Sequence, residues 1–187
     1  MGIVQTAVNT LSRARGGIAL VAVVYGLAAI LGWSFPQHFQ FLEAQITTLV
    51  QQFAHLGAWE FIFRVFVHNL LICYVASCLV ALFGLVPLFL AATNGLLIGW
   101  LFTWLQDATW YELTAMLAPH GVFELPAMFI ALGVGFWRGW GYRGAPEPLG
   151  WWGRVKRAHC VFLVFVLPLL LVAAIIEGRY HLMGLIS

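Results

Sequence analysis

The sequence predicts an all-α membrane protein, a single transmembrane domain over residues 1–187 built as a bundle of about five helices. Hydrophobic residues make up 63% of the chain and charged residues only 9%, whereas a soluble domain has about 25% charged residues. The apolar residues come in long runs, not in the short alternating segments of a membrane β-barrel. This composition excludes a soluble enzyme and a disordered chain. The scattered net charge of +2 excludes a nucleic-acid-binding protein.

The apolar runs are assigned to spans in order. The first run follows Arg13 and Arg15 as in a signal peptide, but no small-residue cleavage site comes after it, so we read it as a retained span. The run over 61–105 would be roughly 68 Å long as one helix, too long for a core of ~30 Å, and Gly84–Pro87 is its natural turn. The predicted spans lie at about 16–33, 61–83, 87–105, 113–137 and 159–177.

The charges indicate how these spans are oriented. Basic residues fall before the first span or between the fourth and the fifth, namely Arg13, Arg15, Arg138, Arg143, Arg154, Lys156 and Arg157. Acidic residues fall at the opposite ends, namely Glu43, Glu60, Asp107, Glu112 and Glu177. The positive-inside rule then places the N-terminus in the cytoplasm, and five crossings place the C-terminus outside.

The segment after the first span predicts an amphipathic outer helix over about 36–57. Its apolar residues follow a helical period, at Phe35, Phe39, Leu42, Ile46, Leu49, Phe53 and Leu56. Ser34 can cap its start, and Pro36 suits a first helical turn. This helix carries no Lys or Arg, so attraction to anionic lipid is not its purpose. Its apolar stripe either lies at the membrane interface, packs on a partner subunit or lies along the protein's own outer face.

Several polar residues fall at membrane depth, where ionisable groups are costly and often functional. Their distances from the outer helix ends predict one buried polar cluster in the outer half of the bundle, made of Arg64, His68, Asn69, Asn94, His120, Glu124 and Glu177. Arg64 and Glu177 are a plausible pair near the surface. Glu124, His120, Asn69 and Asn94 form the deeper network.

The fourth span carries this cluster on a sequence rich in helix breakers. Pro119, Gly121 and Pro126 predict a break in the helix, because each proline removes a backbone donor and restricts the residue before it. Broken backbone at this depth is tolerated where it is buried in protein or lines a wet cavity.

Small residues at helical spacing predict close helix packing. They form a G-x-x-x-G step in the third span and a longer ladder in the fourth, namely Gly95, Gly99, Ala131, Gly135 and Gly139. Packing within one subunit explains each step, and together with the outer stripe they allow a homodimer. The three cysteines lie in apolar runs without metal-type spacing, so they are read as buried packing residues.

Three interpretations of the polar cluster stay open. It is a hydrogen-bond network that holds the helices in register, a proton or ion path through Glu124 and His120, or a metal site. His68, His120 and Glu124 are weak candidates for metal ligands, because the H-E-x-x-H pair of zinc proteases is absent. No serine, cysteine or paired-aspartate set predicts an enzyme, and no cofactor is predicted.

The motifs of the second half resemble the stage II sporulation protein M family. The most specific is Pro119-His120-Gly121-Val122-Phe123-Glu124-Leu125-Pro126-Ala127, supported by Phe66–Leu70, Thr93–Gly99 and Ile175–Gly178. The resemblance implies a five-span protein of the inner membrane. The family member that gives the family its name works in a membrane complex with two peptidoglycan-degrading partners during engulfment.

We therefore expect a non-enzymatic subunit or anchor of a cell-envelope complex. Its expected partners are the lipid bilayer and envelope or peptidoglycan-processing proteins. The alternative is a small channel or proton-linked transporter that uses the polar cluster. A second alternative is a metal-dependent membrane hydrolase.

Overall fold

The structure, a computed structural model, describes residues 2–44, 47–48, 57–79, 82–104, 110–140, 142 and 149–182. For residues 58, 61, 79, 104, 110–120 and 177–182 it describes the backbone alone. All regular structure in these ranges is helical, as the long apolar runs predict.

Six α-helices make up most of the described chain. They are α1 (Ile3–Ser34), α2 (Ala58–Tyr74), α3 (Leu85–Trp104), α4 (Trp110–Gly139), α5 (Trp151–Val161) and α6 (Leu167–Leu182). One π-helical turn, Val75–Leu79, prolongs α2, and another, Phe162–Val166, joins α5 to α6 in one rod. Short 3₁₀ turns follow α1 at Pro36–Phe39 and precede α3 at Leu82–Gly84.

Helix α1 packs closely against three other helices, because one of its faces is made largely of small residues. Its buried positions recur at intervals of three, four or seven residues, at Ala7, Thr10, Ala14, Gly17, Val21, Ala28 and Gly32. This face lies against α3, α4 and α5. The side chains on the other faces are largely exposed and suit contact with lipid.

Glycines let the backbones of α1 and its neighbours touch. A Cβ atom on Gly95 would overlap the carbonyl of Tyr25, and one on Gly99 would overlap the carbonyl of Ala29. Gly133 of α4 lies in the same way against Ile18. The predicted small residues of α3 therefore serve packing inside this chain.

These contacts also give the direction of the helices. Helices α1 and α3 run the same way, because Tyr25 meets Gly95 and Ala29 meets Gly99. Helix α4 runs against α1, since Gly17 meets Gly133 while Tyr25 meets Phe129 further along. The direction thus alternates along the bundle, as short connections between neighbouring helices require.

Four helices of the described residues are long and apolar enough to cross a membrane: Ile3–Ser34, Leu82–Thr103, Gly121–Gly139 and Trp151–Ile176. A shorter apolar helix, Ile62–Cys78, lies between the first two. It coincides with the predicted second span, but it is shorter than the four helices above. The count of five crossings therefore stays a prediction.

Two of these helices begin earlier than the predicted spans. Helix α1 begins at Ile3, well before residue 16, and the α5–α6 rod begins at Trp151, well before residue 159. At 32 residues α1 is roughly 48 Å long, which exceeds a ~30 Å hydrocarbon core. The charged residues that mark the span boundaries therefore lie inside continuous helices.

The predicted break in the fourth helix is wrong. Helix α4 runs without interruption from Trp110 to Gly139, through Pro119, Gly121 and Pro126. A proline within a helix removes one backbone hydrogen bond, and the bonds on both sides keep the helical path. Of the predicted outer helix, Phe41–Ala44 are helical and Leu42 is buried, while residues 45, 46 and 49–56 lie outside the described part.

We predict that Gly99→Ala destabilises the protein by about 1–3 kcal/mol, because the new methyl group forces α3 away from the backbone of α1. The matched control is Gly26→Ala on α1, where no atom lies within 4 Å of the added Cβ. Thermal unfolding in detergent micelles measures both. Equal melting temperatures for the two variants would contradict this packing.

Candidate functional site

Two of the predicted cluster residues meet between α2 and α4. The Asn69 Nδ2 donates a hydrogen bond of 2.9 Å to Glu124 Oε1, and both side chains are half-buried. Cys73, one helical turn after Asn69, is buried and close enough to Glu124 for an electrostatic interaction. An amide, a thiol and a carboxylate therefore share one place in the apolar interior.

Three other residues of the predicted cluster have different surroundings. Arg64 is exposed and donates at 2.9 Å to Glu60, one turn earlier on its own helix. His68 is also exposed. Asn94 is half-buried and donates at 2.8 Å to the carbonyl of Leu90 within α3. None of these three shares a described hydrogen bond with Asn69 or Glu124.

The side chains of His120 and Glu177 lie outside the described part of the chain. The predicted pair of Arg64 with Glu177 and the predicted contact of His120 with Glu124 are therefore expectations still. Among the described residues, no group of three or more His, Cys, Asp or Glu side chains could hold a metal ion.

A second polar contact joins α2 to the α5–α6 rod. The Tyr74 hydroxyl lies 2.7 Å from His159 Nε2, and His159 Nδ1 lies 3.0 Å from the carbonyl of Val155. A carbonyl only accepts, so Nδ1 carries the hydrogen, and in this tautomer Nε2 is an acceptor for the tyrosine hydroxyl. The Tyr74 ring also packs edge-on against Phe162.

This contact lies where both helices change their winding. Tyr74 is the last residue before the π-helical turn Val75–Leu79, and Phe162 is the first residue of the other one. Such turns often lie at functional sites. The sequence offers no local signal for a π-helical turn, so sequence reasoning missed this contact.

A buried arginine contacts the π-helical turn that prolongs the C-terminal end of α2. Arg138 is 2% exposed, and its Nε donates at 2.9 Å to the carbonyl of Ser77. The carbonyls at a helix C-terminus lack partners within the helix and carry partial negative charge. Arg138 therefore stabilises the end of α2. Its Nη2 has no hydrogen-bond partner among the described residues.

A second arginine repeats this arrangement one helix further on. Arg154 Nη1 donates at 2.8 Å to the carbonyl of Arg138, close to the end of α4. Its guanidinium carbon lies 3.6 Å from the centre of the Tyr142 ring, a cation–π contact. Within the described ranges, its buried Nε has no hydrogen-bond partner.

The sequence contains a signal that Arg138 is more than a topology marker. Arg138 continues the helical spacing of Ala127, Ala131 and Val134, which are fully buried. It therefore lies on the interior face of α4 rather than in the loop after it. For Arg154, only the tertiary contact with α4 reveals the role.

The fold and its polar contacts together define a helical integral membrane protein whose helices are joined by backbone contacts and a few interior hydrogen bonds. The family model for stage II sporulation protein M matches residues 21–180, which is most of the chain. The chain belongs to this family, and the resemblance in its motifs is confirmed. No match was found among curated proteins or among solved structures.

We predict energetic coupling between Asn69→Ala and Glu124→Ala. Each single change leaves a polar partner in the interior, so the double variant is more stable than the sum of the two effects implies. The expected coupling is about 1 kcal/mol, because hydrogen bonds between membrane helices average about 0.6 and reach about 1.7 kcal/mol.

The control cycle uses Glu60→Ala and Arg64→Ala, an exposed pair whose expected coupling is about 0.5 kcal/mol or less. Chemical denaturation in mixed micelles supplies the free energies of unfolding. Strictly additive effects at Asn69 and Glu124 would show that their contact contributes no stability.

Proposed function

We propose that this protein is a non-enzymatic subunit or anchor of a cell-envelope complex, with envelope or peptidoglycan-processing proteins as its partners. Membership of the stage II sporulation protein M family, over residues 21–180, is the observation that carries the proposal. The family's most specific motif lies on α4, and Glu124 within it contacts α2.

The interior polar contacts support a scaffold. Asn69 with Glu124, Tyr74 with His159, and Arg138 with the Ser77 carbonyl each join two different helices. Polar side chains used in this way hold membrane helices in register. In this proposal the bundle is a fixed platform, and its outer surface recruits the partners.

The proposed location is the inner membrane, with five crossings and the N-terminus in the cytoplasm. Basic side chains gather at one end of the bundle, where α4 ends and α5 begins; this basic end is defined by Arg13, Arg15, Arg138, Arg154, Lys156 and Arg157. An excess of Lys and Arg marks the cytoplasmic side. Helix Ile62–Cys78 supplies the crossing that makes the total odd.

We expect a green fluorescent protein fused to the N-terminus to fluoresce, and alkaline phosphatase fused to the C-terminus to be active. The first reporter folds in the cytoplasm, and the second needs the oxidising side of the membrane. The swapped fusions serve as controls. A fluorescent C-terminal fusion would mean an even number of crossings.

A small channel or proton-linked transporter is the second candidate. The observation in its favour is the half-buried Glu124 carboxylate, which lies between two apolar helices. Ionisable side chains inside a membrane often mark a path for protons or ions. In this alternative Glu124 carries the ion, with Asn69 as a neighbouring ligand.

Reconstitution separates the two candidates. In proteoliposomes with an internal pH dye and an applied potential, the scaffold proposal expects no proton or cation flux above empty vesicles. In source-cell membranes it expects a crosslinked, fixed-ratio complex with a peptidoglycan-processing protein.

Glu124→Gln and the control Glu60→Gln complete the flux design. Glu60 is an exposed carboxylate in the first turn of α2, so its loss removes the same charge outside the interior. A flux that Glu124→Gln abolishes and Glu60→Gln leaves intact would replace the scaffold with a transporter.

A further inference from the structure

We propose that the paired arginines Arg138 and Arg154 form a binding site for a phosphate group at the basic end of the bundle. This site is separate from the contact between Asn69 and Glu124, and it does not depend on the proposed scaffold role. The chemistry that it recognises is a phosphate monoester or diester, carried by a lipid head group or by a small soluble molecule.

The first argument is the incomplete pairing of Arg138. The side chain is 2% exposed, and one of its nitrogens donates to the Ser77 carbonyl, while Nη2 has no hydrogen-bond partner in the part of the chain that the structure describes. A guanidinium stays charged under all conditions in a protein, so it cannot escape burial by losing its proton. Buried donors without partners are rare in native structures and call for an explanation such as an absent ion.

The second argument is the position of Arg154. Its bond to the Arg138 carbonyl keeps two cationic side chains at one place, where their charges repel each other. Arg154 also has a buried nitrogen, Nε, that has no hydrogen-bond partner among the residues described. The one ion pair among the described residues joins Arg64 to Glu60 on α2, so no described carboxylate neutralises the two arginines.

The third argument is the start of α5. Gly150 precedes this helix and offers no side-chain cap, and the first turn contains no acidic residue. The free N–H groups of a helix N-terminus carry partial positive charge and favour anions. The first turn of α5 ends at Arg154, so it adds to the positive charge of the two guanidinium groups.

Together these features favour phosphate over other anions. A guanidinium binds two oxygens at once in a planar fork, and a phosphate presents several oxygens to more than one donor. Basic sites between helices at the membrane surface bind lipid head groups in this way. Exposed Trp140, Trp151 and Trp152 flank the site, and tryptophan prefers the head-group level. Arg154 is only half-buried and marks the side of approach.

The test measures the melting temperature of the full chain in nanodiscs. Discs of phosphatidylcholine alone are compared with discs that contain phosphatidylglycerol, and with phosphatidylcholine discs in the presence of inorganic phosphate. We expect a rise of roughly 5 °C or more in one of the two phosphate-bearing conditions. A rise with phosphatidylglycerol identifies a lipid source, and a rise with inorganic phosphate identifies a soluble one.

Arg154→Gln and the control Arg15→Gln test whether the site causes this rise. Arg15 lies on α1, is exposed and belongs to the same basic end, so its variant removes the same charge. We expect Arg154→Gln to lose the rise and Arg15→Gln to keep it. Arg154→Lys keeps the charge but lacks the fork, and it should retain only part of the rise.

Native mass spectrometry of the wild-type chain provides a measurement that does not depend on any variant folding. One phosphatidylglycerol or one phosphate should stay bound per chain after detergent extraction. Equal melting temperatures of the wild type in all three conditions, or a rise that Arg154→Gln retains, would overturn the proposal.

Discussion

The close approach of helix backbones to α1 is the constraint on which the rest of the structure depends. A membrane interior offers helices little hydrophobic driving force for association, since lipid is as apolar as leucine. Van der Waals contact must replace it, and it is strongest where small residues let main chains touch. The glycines that face Tyr25, Ala29 and Ile18 provide these contacts. With α1 seated between α3 and α4, the positions of the remaining helices follow.

Polar side chains then connect the helices that α1 does not hold directly. Each interior contact of α2 reaches a different neighbour or a different depth: Asn69 reaches Glu124, Tyr74 reaches His159, and the Ser77 carbonyl accepts from Arg138. In a medium without water these groups have no alternative partners, which is why they are paired between helices. The π-helical turns widen both helices next to Tyr74 and His159. Because both turns lie beside this contact, it is a second candidate site besides Glu124.

The two ends of the bundle have different chemistry. One end has the exposed pair of Glu60 and Arg64 and lies on the same side as the C-terminal end of α1, where Trp33 is exposed. The basic end contains the buried Arg138 and the half-buried Arg154, which stabilise the ends of α2 and α4. A scaffold in an envelope complex and a phosphate site at the basic end are compatible, because a bound head group would hold the platform at a defined depth in the bilayer.

The sequence by itself determined the class of protein, the helical content, the approximate helices and the family, because composition, apolar run length and local motifs are all one-dimensional properties. It also placed Asn69 and Glu124 at a common depth, and the two side chains are hydrogen-bonded in the structure. The depth follows from the sequence because the rise per residue of a helix converts a residue's position along the helix into its depth in the membrane. It could not decide which face of each helix turns inward, so it grouped Arg64 and His68 with Asn69 and Glu124, although Arg64 and His68 are exposed and Arg64 pairs with Glu60. It treated prolines as breaks, although the neighbouring backbone bonds keep α4 continuous. Only the tertiary structure could place Arg154 on the end of α4 and Tyr74 against His159, because these contacts join residues that are far apart in the chain and depend on how whole helices pack.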